Sequence, residues 1–246
     1  MTGAEPSPLA LLCAVAPEGA GLRAALADAR EVEVGRKPAT AGTLDGVPVL
    51  LLPVGMGKTN AAHAATALLE TRAVRGVVGF GIAGAYPGSR LAVGDVALAS
   101  QAVYADEGVE TPGGWLSTEG IGIPLLERGG ARRFNHFPLD ADRVEHARAA
   151  LEAAGIRVRV GPALTVSTCS GTAARGTELA RRFGALTEGM EGAALAHVCA
   201  LYDVPFLEVR GISNAVEDRD LATWRIADAA AAAQRAVRVL AAAWPA

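Results

Sequence analysis

Hydrophobic residues in this chain fall into short unbroken runs of strand length, and helical spacing or glycine-bearing turns separate them. Residues 9–16 (LALLCAVA) are the first run; Pro17-Glu18-Gly19 stops it before a helical pattern at Leu22 and Leu26. A second run, 47–54, passes through Gly55-Met56-Gly57-Lys58 into a helix over 61–72. The third, 74–80, enters the glycine-rich stretch GFGIAGAYPGS, and a fourth, 91–103, broken at Gly94-Asp95, rises to Tyr104. Unbroken runs, in place of strict alternation, mark strands covered on both faces.

Between 105 and 140 the periodicity is lost: Gly, Pro, Trp115, Phe134, His136 and Phe137 mix with Arg128, Arg132 and Arg133, as in a functional or disordered loop. Regular patterns then return as a helix over 144–154, a strand over 158–166, a polar strand end at 167–176 (STCSGTAARG) and a helix over 175–183. Glu191 opens a further apolar helical run, 205–211 (VPFLEVRG with its preceding valine) reads as a buried strand, and Ser213-Asn214 lies just past its end. A long alanine-rich helix over 222–244 carries Val237, Leu240 and Trp244 as its apolar stripe. Strands alternate with helices throughout, without repeat, linker or composition shift. The expectation is one domain over 1–246, of α/β class, with three layers (α/β/α) around a central mixed, twisted sheet.

At 246 residues, 51% of them hydrophobic, the chain is large enough for one sizeable core. A net charge of −3 without a basic block leaves no electrostatic footprint for nucleic acid or an anionic membrane. Pro17 cuts short the first apolar run and no basic residue precedes it, so neither a signal peptide nor a membrane span fits and a soluble, cytoplasmic chain is expected. Cys13, Cys169 and Cys199 are few, scattered and set among small or apolar residues, which suits reduced core thiols and gives no metal set. Lys58 after glycines invites a phosphate-loop reading, but Leu52 stands where that motif needs its first glycine.

Polar residues that are costly to bury gather in 187–220. Glu191 sits at a helix N-terminus, where free N–H groups favour an ionised carboxylate. A cap acid and a turn would explain Glu191 and Ser213-Asn214 without any site. Yet Glu18 and the stretches 55–57, 79–85, 167–172, 190–191 and 213–214 all fall at C-terminal strand ends, the rim where such sheets bind ligands. That convergence points to a pocket.

Taken together, the stretch VGMGK at 54–58, GFGIAG followed by Val93-Gly94-Asp95, Met190-Glu191 with GAALAHVC, and VPFLEVRGIS resemble the purine nucleoside phosphorylase and nucleosidase superfamily over nearly the whole chain. Order and spacing are similar to the methylthioadenosine/S-adenosylhomocysteine nucleosidases, and the tail ISNAVEDRD with Trp224 and Ile226 looks most like the futalosine hydrolases of menaquinone biosynthesis. The resemblance implies that Glu18 activates the attacking water, that Glu191 grips the ribose diol, and that Met190 packs on the sugar. Met56, Ala83, Gly84, Thr172 and Ser213 would line the substrate, and no cofactor is implied. Asn214 stands where adenine-specific relatives carry an aspartate that protonates the leaving base; Gly189 is a lesser departure.

Asn214 cannot transfer a proton but can donate to O6 or N7 of a 6-oxopurine, so hypoxanthine suits it better than adenine. The N1–H of such a base needs an acceptor, for which Asp218 and Asp220 are alternatives. Arg132, Arg133 and Arg175 are candidates for a carboxylate on the 5′ side of the ribose. Superfamily phosphorylases resemble one another in an arginine after the first strand and a hydroxyl in the glycine loop; 14–22 lacks arginine and Ile82 replaces the hydroxyl, so water is expected as nucleophile. The implied assembly is a homo-oligomer, a dimer or higher. Competing readings are a methylthioadenosine/S-adenosylhomocysteine nucleosidase, a purine nucleoside phosphorylase, and a non-catalytic nucleoside-binding or storage protein.

Overall fold

The computed structural model describes residues 7–245; the first six residues and the last one of the expected domain lie outside them. The first apolar run forms β1 (Leu9–Cys13), followed by a single 3-10 turn at Ala16–Gly19 and a short α1 (Ala20–Ala25). Where the Leu22/Leu26 spacing suggested more helix, the chain instead forms a hairpin, β2 (Ala27–Val34) and β3 (Lys37–Leu44). Its turn puts Gly35 and Arg36 at φ of 55° and 61°, and the next turn puts Asp45 and Gly46 at 49° and 84°. Both match the twist of antiparallel strands. Then come β4 (Val47–Pro53), α2 (Lys58–Thr71), β5 (Gly76–Ala85) and β6 (Val96–Tyr104).

The stretch expected to be an unpatterned loop is ordered. It holds β7 (Gly108–Thr111), β8 (Gly114–Ser117), β9 (Leu126–Arg128), β10 (Ala131–Arg133) and β11 (His136–Pro138). Asn135, buried among them, donates to the carbonyls of Tyr104 (2.8 Å) and Glu107 (2.7 Å) and accepts from the Thr118 amide and hydroxyl (both 2.9 Å). An amide that uses its donors and acceptor this fully pins three segments at once. The C-terminal half follows as α3 (Ala141–Ala153), β12 (Val158–Thr165), α4 (Ala173–Phe183), β13 (Thr187–Gly189), α5 (Gly192–Leu201), β14 (Phe206–Ala215) and α6 (Ile226–Ala243).

The mixed sheet runs β11-β6-β12-β13-β5-β1-β4-β3-β2, with β14 bonded to both β5 and β6. Because β14 bridges those two, the strands β5, β14, β6, β12 and β13 close into a ring. Alternate residues of β1 divide the core: Leu9, Leu11 and Cys13 join α3 and α6 on one face, and Ala10 and Leu12 join α2 and α5 on the other. This is the expected three-layer α/β/α arrangement. The alanine-rich α6 presses closely on β14, since a Cβ on Gly211 would strike the Ala229 backbone. Of the three cysteines, Cys13 and Cys199 are core thiols, but Cys169 is exposed on the turn after β12. Among the described residues no helix is long and apolar enough to cross a membrane.

Candidate active site

The C-terminal ends of β1, β4, β5, β13 and β14 surround a cavity of about 290 Å³. Its lining includes Glu18, Met56, Ala83, Gly84, Met190, Glu191, Ser213 and Asn214, which brings together every residue expected at the site except Thr172. Thr172 is exposed and caps α4, accepting from the Arg175 amide at 3.2 Å. Its neighbours Cys169 and Ser170 line the cavity in its place. Two strands also run further than their apolar runs suggested, to Ala85 and Ala215, so Asn214 is a strand residue rather than a turn residue.

Glu18 sits on the 3-10 turn that Pro17 starts after β1. Its Oε2 accepts from the Val15 amide (3.1 Å) and its Oε1 from the Ile82 amide (2.9 Å). Glu191 does not use its carboxylate to cap α5; Oε1 instead reaches across to accept from the Gly57 amide at 2.9 Å, and Oε2 faces the Met190 amide at 3.3 Å. The glycine turn after β4, at φ of 91° for Gly57, is what offers that amide to Glu191.

Between the two carboxylates lies Arg210, which the apolar pattern of its strand does not single out. Its Nε donates to Glu208 Oε1 at 2.9 Å, its Nη2 lies 3.6 Å from Glu191 Oε2, and its Nη1 is 3.4 Å from the Ile82 carbonyl. Burial on its own would lower the arginine pKa, but Glu208, Glu191 and Glu18 together raise it above the ordinary value. The signal was in the sequence: Glu208 and Arg210, two apart on a strand, must share a face. Gly81 lets the group assemble, because a Cβ there would fall against Glu18 Oε1 and 3.0 Å from Arg210 Nη1. Three carboxylates around one guanidinium favour a cation in the cavity.

Lys58 is not a phosphate ligand; it pairs with Asp106 and, at 2.9 Å, with Glu107. Arg132 pairs with Glu127, Arg175 with Glu178, and none of Arg132, Arg133 and Arg175 lines this cavity, whereas Arg219, stacked on Trp224, does. Asp218 and Asp220 are exposed and serve the amides of Ala173 and Ala222. His136 is exposed beside Gln101 on β11. Among the described residues no group of three or more His, Cys, Asp or Glu is placed to hold a metal ion.

The phosphorylase superfamily model matches residues 8–243. A futalosine hydrolase of Thermus thermophilus is 39% identical over 197 residues, 80% of this chain and 83% of its own length. One of Streptomyces coelicolor is 40% identical over 78% of this chain and 77% of its own. In fold, the S-adenosylhomocysteine nucleosidase of Streptococcus pyogenes, solved in complex with 5-methylthiotubericidin, superposes with a TM-score of 0.84 at 23% identity, covering 99% of this chain and all of that one (100%). With both the family match and the two close relatives spanning most of its length, this chain belongs to the phosphorylase superfamily and, within it, to the futalosine hydrolase family.

Proposed function

We propose that the protein hydrolyses the N-glycosidic bond of futalosine, releasing hypoxanthine and dehypoxanthine futalosine, as one nucleosidase domain of a cytoplasmic homo-oligomer. The relatives' activity supports the substrate, and the superfamily resemblance supports the assembly. The observation that carries the chemistry is the pair of buried carboxylates, Glu18 and Glu191, 5% exposed each, meeting at Arg210 on one side of a cavity that Asn214 lines on another.

N-glycoside cleavage builds positive charge on the ribose and negative charge on the departing base, as glycosidase transition states do on the sugar side. Glu191 accepts hydrogen bonds from the vicinal hydroxyls and stabilises that cation, while Met190 packs against the ring. Glu18 takes the proton of the water that attacks C1′ from the face opposite the base. The base leaves as an anion spread over N7 and O6. Asn214 donates one N–H to the Ala215 carbonyl at 2.8 Å, so its second N–H is free for that anion.

Phosphate is a poor alternative to water here. Arg210 is already committed to Glu208, and Glu191 and Glu18 beside it would repel an anion. The test is base release from futalosine with and without phosphate: the expected products are hypoxanthine and free ribosyl product at a rate that phosphate leaves unchanged. A steep rise with phosphate, giving a ribose 1-phosphate product, would replace hydrolysis by phosphorolysis.

Release of adenine from methylthioadenosine in preference to hypoxanthine from futalosine would instead make it a methylthioadenosine nucleosidase. Asn214 separates the two. The Ser213 hydroxyl is 2.7 Å from Asn214 Oδ1 and can donate to it, which turns Nδ2 toward the Ala215 carbonyl. An aspartate in this position has no N–H for O6 and would repel it, but can accept from a 6-amino group, and its acid form can protonate N7. Asn214→Asp is therefore expected to shift the kcat/KM ratio from futalosine toward its 6-amino analogue by about 10-fold or more, the effect of one mispaired buried polar contact. Steady-state kinetics on both substrates at one pH checks this; an unchanged ratio would remove Asn214 from the six-position of the base.

A further inference from the structure

One buried carboxylate of the cavity has no part in the chemistry above. Glu188, 6% exposed, stands in β13 directly across from Gly84, and Asn214 stands directly across from Gly84 on the other side, in β14. Residues paired in register across a sheet point to the same face, so Glu188 and Asn214 flank Gly84 in one row, about 10 Å apart at two strand spacings. Gly84 leaves the gap open, since a Cβ there would come within 3.4 Å of Asn214 Nδ2 and 2.8 Å of Val216.

Every contact to Glu188 comes from a donor. Oε2 accepts from the hydroxyls of Tyr86 (2.7 Å) and Ser170 (2.6 Å), and Oε1 accepts from the Ser170 amide (2.7 Å). Burial, then Glu188 itself, pushes the Tyr86 phenol above its ordinary pKa, so it remains a donor. A carboxylate has about four acceptor positions, of which three are filled, leaving one on Oε1 for a further N–H.

Resting on the futalosine reading, we infer that Glu188 is the residue that selects a 6-oxopurine, accepting its N1–H while Asn214 gives its remaining N–H to O6 or N7 of the same base. A 6-aminopurine presents a lone pair at N1, which would face a carboxylate with no proton to share. On this inference the acceptor left open between Asp218 and Asp220 is neither of them: both are exposed and neither lines the cavity, whereas Glu188 does.

The experiment compares kcat/KM for futalosine and its 6-amino analogue in the wild type, Glu188→Gln and Glu188→Ala, with Tm as the check on folding. Glu188→Gln keeps an oxygen toward the Ser170 amide and lets both hydroxyls turn to accept from its nitrogen, so it should fold. The oxygen that faces N1 stays but loses its charge, which weakens the N1–H bond and relieves the repulsion of an N1 lone pair. The expected result is a preference for futalosine that falls about 10-fold in Glu188→Gln and at least as far in Glu188→Ala, the scale of one charge-assisted hydrogen bond. A ratio held within about twofold, or an equal fall on both substrates, would overturn the inference, since a merely structural role would not move the ratio. Should Glu188→Ala not fold, Glu188→Gln decides alone. In the wild type, 1-methylhypoxanthine, which lacks N1–H, should also inhibit about 10-fold more weakly than hypoxanthine; equal inhibition overturns the inference as well. A wild type that releases no hypoxanthine from futalosine fails the functional reading first, which separates the two failures.

Discussion

Glu191→Gln is expected to lower kcat on futalosine by about 10²-fold or more and to raise KM as well, the scale of losing a fixed electrostatic stabiliser of a developing charge. The substitution keeps shape and volume, so the effect is electrostatic. All three neighbours of the carboxylate, the Gly57 amide, the Met190 amide and Arg210, are donors. An amide NH₂ must therefore turn toward one of them and set donor against donor, while the remaining oxygen has lost the charge that opposes the ribosyl cation. Binding suffers too, because the vicinal hydroxyls meet one acceptor where they had two. Steady-state kinetics with a Tm measurement checks this. Wild-type turnover in a folded variant would return Glu191 to the role of a helix-end acid.

Glu18→Gln should lower kcat by a similar factor, about 10²-fold to 10⁴-fold, the range for a positioned general base. It should leave KM nearly unchanged. Here too both partners are donors, the amides of Val15 and Ile82, so the glutamine cannot satisfy both and no longer takes a proton from water. On the proposed roles, Glu191 meeting the substrate in the ground state and Glu18 the water, the two variants separate by their KM. A Glu18→Gln protein that retained full turnover would place the base elsewhere.

The fold was legible where apolar runs were long and bounded. The strands β1, β4 and β5 and the helices between them follow from glycine and proline punctuation, and with them the rim that carries Glu18, Met56 and Glu191. The apolar pattern does not show the hairpin of β2 and β3, although Gly35 sits at its turn and Asp45-Gly46 marks the next one, because β2 is largely exposed and offers little apolar pattern beyond Val32 and Val34. Strands of three and four residues, as between 108 and 138, are too short to show a period of two, and their order comes from Asn135. In the site, residues close to a glycine turn or a strand's C-terminal end could be found, Ala83, Gly84, Ser213 and Asn214 among them, and polar residues in mid-strand could not. Arg210 and Glu188 look like mid-strand polar residues until the register sets each beside its partners. Thr172 was misplaced because a polar strand end looks the same whether it faces the ligand or caps the next helix.

The ring made by β5, β14, β6, β12 and β13 bears on how steady the base-binding edge is. A three-residue strand at a sheet margin would fray, yet β13 is bonded to β12 on one side and β5 on the other. Releasing it means breaking both pairings at once, so local opening there should cost more than for a strand paired on one side. Backbone amide hydrogens along 187–189 should consequently exchange among the slowest in the molecule. Such slow exchange would mean that the row holding Glu188 and Asn214 is ordered before any nucleoside arrives, so that binding energy is not drawn off to order it.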